Sequence, residues 1–151
     1  MNQRPNQPST EPVEFYFDPV CPWTWNTYRW LREVAAARQL TVRLRPLSLK
    51  VLNAGREIPK QYLEAVEAGH ASLRIVAALE AAGRSHEIAA FYDALGERFF
   101  HELQPATVDT VISVAEAIGL GEYAAAAKDP SYDEAVQQAT QRAIDLAGPD
   151  V

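Results

Sequence analysis

The chain has 151 residues, of which 48% are apolar and 23% charged, with a formal net charge of -6. That length suits one domain with its own core, while the acidic balance argues against nucleic acid, whose phosphates need Lys and Arg, and against anionic membrane surfaces. The only cysteine, Cys21, excludes an intrachain disulfide and fits a reducing compartment better than a secreted framework. No apolar run reaches the length of a membrane span, and no hydrophobic stretch typical of a signal peptide follows the start. A soluble cytoplasmic protein is the expectation.

Residues 1–12 are rich in Asn, Gln, Pro, Ser and Thr and read as a disordered tail. Val13 to Phe17 is short, aromatic and β-branched, which predicts a strand. Asp18-Pro19-Val20 breaks it. A helix is predicted from Cys21-Pro22 to about Arg38, since Pro suits a first helical turn. Trp23, Trp30, Leu31 and Val34 fall on one side of it at helical spacing. Trp25, Tyr28 and Trp30 are expected to pack the same helix. In the second predicted strand, Leu40 to Leu49, Leu40, Val42 and Leu44 alternate with Thr41, Arg43 and Arg45, giving one buried and one wet face. Pro46 favours a sheet edge. The unit is β-α-β and should be parallel.

After Leu49 the period becomes helical. Tyr62 to Leu79 predicts one long helix, disturbed at Gly69. Ile88 to Leu103 predicts a second, and Val108 to Ile118 a third, closed by Gly119 and Gly121. Ser131 with Glu134 is a capping-box pattern for a fourth, which Gly148-Pro149 stops.

Cys21 begins a helix directly after a strand. Unpaired backbone N–H groups and the positive end of the helix dipole meet there, and both favour thiolate over thiol, the nucleophilic form. The Thr24 hydroxyl, one turn on, is placed to donate a hydrogen bond to the sulfur. An inert buried cysteine is the competing reading. His70, His86 and His101 show no metal-ligand spacing and read as surface or cap histidines, with a spatial Cys-His pair left open. No metal site is expected, and no Gly-rich phosphate loop indicates a nucleotide. Glu64, Glu67, Glu80, Glu97 and Glu102 read as solvated helix faces.

Phe15-Tyr16-Phe17-Asp18-Pro19-Val20-Cys21-Pro22-Trp23 resembles the active-site segment of DsbA-like thioredoxin-fold proteins. With Trp25, Arg29 and Trp30, and with Ser48-Leu49-Lys50-Val51-Leu52-Asn53 downstream, it is most similar to the actinobacterial mycothiol-dependent nitroreductase and disulfide-oxidoreductase group. The resemblance implies an α/β, thioredoxin-like fold with an inserted all-helical block. Residues 13–56 would form the N-terminal β-α-β part and 57–151 the inserted helical domain. Family members continue into a cis-proline loop, two strands and a closing helix, so this chain reads as truncated. Sheet edges left by truncation favour a homodimer.

The resemblance also implies a site. Cys21 and Thr24 would be catalytic, and Pro22, Trp23, Asn53 and Tyr62 would bind thiol or substrate. Trp23 is equally readable as a core or rim aromatic, Asn53 as a turn residue, and Tyr62 as a helical core tyrosine. The family's redox motif ends in a second cysteine where this chain has Thr24, so an external low-molecular-weight thiol such as mycothiol must resolve any mixed disulfide. The implied function is a thiol oxidoreductase or reductase acting on a disulfide or an electrophile, with no tightly bound cofactor. Two alternatives stay open: an enzyme like the kappa-type glutathione transferases and related isomerases, and a non-enzymatic binding module on the same fold.

Overall fold

A computed structural model describes residues 11–149. The tail expected over 1–12 therefore lies outside the described residues apart from Glu11 and Pro12. The first strand, β1, is Val13–Phe17 and the second, β2, is Val42–Pro46. They pair in parallel with Val13 opposite Val42, Phe15 opposite Leu44 and Phe17 opposite Pro46. The helix α1, Pro22–Arg38, is the crossover. Among the described residues these two strands are the whole sheet.

β2 is shorter than its alternation predicted. Pro46 has no N–H to give, and the ladder closes with the Leu47 N–H on the Phe17 carbonyl at 2.9 Å. Ser48 then leaves the strand to cap a short helix, α2, Leu49–Leu52. The expected wet face is only partly so, because Arg45 reaches Glu80 at 3.0 Å.

α1 ends in a left-handed Gln39 with φ 55°, and Arg38 lies in its last turn, where the dipole favours a cation. Its buried stripe is Trp25, Tyr28 and Leu31, all expected on the packed side, whereas the expected Trp23 and Trp30 do not join them. Trp23 and Trp30 share one face, about 200° around the helix from Trp25 at 100° per residue. Only one of the two faces can meet the core, and Trp23 is left 80% exposed and Trp30 61% exposed.

The rest is helical: α3 (Leu63–Ala81), α4 (Ile88–Gly96), α5 (Val108–Ala117) and α6 (Asp133–Ala147). A 3-10 stretch, Gly121–Lys128, links α5 towards α6. α3 is the central element, buried almost all round from Val66 to Leu79. Leu73, Ile75 and Leu79 pack with Phe91, Leu95, Val111 and Val136, all fully buried; each such side chain contributes roughly 1.5–3 kcal/mol. No helix among the described residues is long and apolar enough to cross a membrane.

Three local expectations change. α3 runs through Gly69 without a break, because that glycine serves packing: a Cβ there would overlap the Asp18 carboxylate and Val20. The second long helix becomes α4 followed by a π turn, Glu97–His101. Ser131 does not cap α6; Asp129 accepts its N–H at 2.9 Å and caps the preceding 3-10 turn instead.

Candidate functional site

Cys21 is the N-cap of α1. Its backbone is extended, φ -83° and ψ 114°, and its side chain makes no capping hydrogen bond. Its own N–H donates to the Asp18 carbonyl at 3.0 Å, and its carbonyl accepts the Trp25 N–H at 3.1 Å. Both main-chain groups are thereby fixed while the half-buried sulfur is left uncommitted. Pro22 follows as the first helical residue and supplies no N–H.

The loop that holds Cys21 is organised by Asp18, which sequence reasoning treated only as punctuation. Its carboxylate is fully buried and accepts N–H groups from Leu49, at 2.9 Å, and Val20, at 3.2 Å. The first of these bonds ties the β1–α1 loop to the start of α2. Burial raises the carboxyl to about 6, against the pull of both hydrogen bonds. A buried carboxylate is tolerated only when its lone pairs are met in this way.

The other site residues expected from sequence are placed unevenly around this loop. Trp23 stands on the solvent side of the helix start, which leaves a rim role and removes a core one. Thr24 is half-buried, and no hydrogen bond joins its hydroxyl to the Cys21 sulfur. Asn53 closes α2, and its side-chain amide donates to the Leu49 carbonyl at 2.8 Å. Through Leu49, Asn53 and Asp18 meet the same turn of chain. Tyr62 precedes α3 and is 53% exposed, so it is not a core tyrosine.

The histidines separate. His70, expected at the surface, is buried in α3. Its Nδ1 lies 2.8 Å from Ser48 Oγ and its Nε2 2.7 Å from Asp133 Oδ1. Ser48 Oγ also accepts the Val51 N–H, so the consistent assignment has Ser48 donating to Nδ1 and Nε2–H donating to Asp133. Arg74 grips Asp133 through Nε at 2.6 Å and Nη2 at 3.0 Å, holding that carboxyl down to about 2. Burial lowers the His70 pKa despite the opposing Asp133. The order Ser-His-Asp suggests a hydrolytic triad, but Ser48 is 0% exposed and caps α2, so no substrate can meet it. The network is a tie between α2, α3 and α6.

His101, in the π turn, accepts a hydrogen bond from Trp25 Nε1 at 3.3 Å and packs edge-on to that ring. Gly96 gives Trp25 its room, since a Cβ there would overlap the indole. A cleft of about 280 Å³ opens beside this contact, lined by Trp25, Arg29, Arg32, Asp93, Glu97 and His101. Sequence reasoning missed the buried Asp18 and the His70 network. The signal present was the Asp-Pro pair at a strand end, which marks a turn and says nothing of burial.

Against known proteins, residues 20–151 match the family described as Rv2466c-like, mycothiol-dependent nitroreductase Rv2466c. A curated relative, the uncharacterized protein Rv2286c of Mycobacterium tuberculosis, is 41% identical over 49 residues, which cover 31% of this chain. The match spans only 21% of that relative's length.

Proposed function

Because this chain belongs to the Rv2466c-like family of mycothiol-dependent nitroreductases, we propose that it is a thiol-dependent oxidoreductase with Cys21 as its nucleophile. Mycothiol or a similar small thiol is the co-substrate. We read residues 13–56 as the start of a thioredoxin-like fold and 57–151 as its helical insertion, with Pro22, Trp23, Thr24, Asn53 and Tyr62 around the reacting sulfur.

The observation that carries this reading is the state of Cys21: a half-buried sulfur at the mouth of a long helix, with no intramolecular hydrogen bond to occupy it. Orphan N–H groups of the first turn favour negative charge there. The Cys21 thiolate attacks one sulfur of a substrate disulfide; the S–S bond breaks and the other sulfur leaves with the electron pair as a thiolate. Cys21 is the only cysteine of the chain, so the mixed disulfide passes to an outside thiolate. That thiolate attacks the substrate-derived sulfur, forms a new disulfide with it and releases the Cys21 thiolate.

The test is turnover of a disulfide and of a nitroaromatic electrophile by the purified chain with mycothiol. Cys21→Ser should fall to the uncatalysed rate with either substrate. Full activity in that variant would overturn the nucleophile and favour a cofactor-thiol transferase.

A further inference from the structure

Tyr92 is fully buried in α4, and its hydroxyl has no hydrogen-bond partner. A buried hydroxyl in that state is a cost to folding that phenylalanine would avoid. Its ring is held on several sides: against Phe17 at 4.4 Å, Tyr28 at 4.7 Å and Trp25 at 5.3 Å. Phe17 immediately precedes Asp18, and Trp25 donates its main-chain N–H to the Cys21 carbonyl. The ring is thus held against residues that flank the Asp18–Cys21 loop on either side, and both Asp18 and Cys21 lie close enough to act on its hydroxyl.

The charged and titratable groups acting on it come from the cap and body of α1, the preceding loop and α4. They are Cys21 at the cap of α1, Asp18 from the loop, Tyr28 from α1 and Asp93 from α4, with Cys21 the strongest. Burial pushes the phenol pKa well up, and these neighbours push the same way. Tyr92 therefore stays protonated and can only serve the sulfur as a neutral donor.

We propose that the Tyr92 hydroxyl is the buried hydrogen-bond donor to the Cys21 sulfur in its thiolate form. This rests on the reading of Cys21 as the nucleophile. A neutral thiol is a weak acceptor and does not draw the phenol. A thiolate is a strong one. The Cys21 side chain, held by no capping bond, can turn its sulfur inward when the mixed disulfide breaks and charge returns to it. The donor stabilises the leaving thiolate and accounts for a tyrosine where the packing alone asks for a phenylalanine.

Tyr92→Phe tests this, because it keeps the stacked ring and removes one oxygen. The measurement is the ultraviolet thiolate absorbance of Cys21 against pH, taken as a difference from Cys21→Ser. At a fixed pH on the rising limb, the thiolate fraction should fall about tenfold in Tyr92→Phe, the factor for losing one hydrogen bond to a charged sulfur. Thermal stability should hold or rise, since an unpaired buried hydroxyl has gone. A profile that coincides with the native one overturns the proposal. The native chain gives a second measurement: alkylating the Cys21 thiolate with iodoacetamide should shift the tyrosine band of the near-ultraviolet difference spectrum, and an unmoved band overturns it equally. Neither readout needs turnover, so a chain that is inactive yet shows the displaced profile would sink the proposed activity and leave the Tyr92 donor standing.

Discussion

Asp18 shows how one buried side chain can fix the loop that carries Cys21. Its buried carboxylate joins the β1–α1 loop to α2 through the Leu49 N–H, and burial raises its pKa to about 6. In an unfolded chain the same group titrates near 4. The folded state therefore holds its proton longer, and folding loses free energy as pH rises through that window. Asp18→Asn removes the titration. Relative to that variant, the native chain should lose about 2 kcal/mol of stability between pH 4 and pH 7. Urea unfolding of both at each pH gives the difference directly. A constant difference would mean that the carboxyl is not held protonated by burial.

At the scale of elements, the helical block meets the β-α-β part at close approaches that only glycine allows. Gly69 lets α3 lie against Asp18 and Val20, and Gly96 lets the end of α4 lie against Trp25. Neither has a positive φ, so the need is for space and not for backbone freedom. Gly69→Ala would gain helix propensity worth up to about 1 kcal/mol. It would also press a methyl into the buried carboxylate, where overpacking costs about 1–3 kcal/mol. The clash should win, because Asp18 is fixed by two main-chain N–H groups and cannot swing away. A lower urea midpoint with an unchanged denaturant slope is the expected outcome. A midpoint equal to or above the native value would show that the loop yields.

For the molecule as a whole, periodicity exposed the elements and left their faces open. β1, α1 and the four longer helices follow from alternation, helical spacing and Pro and Gly punctuation. On α1 the expected Trp25, Tyr28 and Leu31 are buried while Trp23 and Trp30 are not, because all three tryptophans are apolar and spacing cannot say which face turns inward. Cys21 was legible because a strand-to-helix junction is a local pattern. The buried polar groups were not: Asp18 bonds the Leu49 N–H and His70 bonds Ser48 and Asp133, and partners so distant in sequence are set by how the elements pack. The His70 network is the clearest case, since it joins Ser48, Asp133 and Arg74 from three elements. Its pH dependence has the opposite sign to that of Asp18. Burial lowers the His70 pKa, so the unfolded chain takes up a proton first, near 6.5. The contribution of His70 is complete above that pH and is lost as pH falls below it. His70→Ala should cost about 2–4 kcal/mol at pH 7.5 through two lost hydrogen bonds and a cavity. The gap to the native chain should narrow towards pH 5. Asp18 gains stability over the same fall in pH, so the native chain alone shows a flattened profile and each single variant uncovers one slope. Urea midpoints for His70→Ala that track the native values in parallel from pH 7.5 to pH 5 would show that the imidazole is not held neutral by its burial.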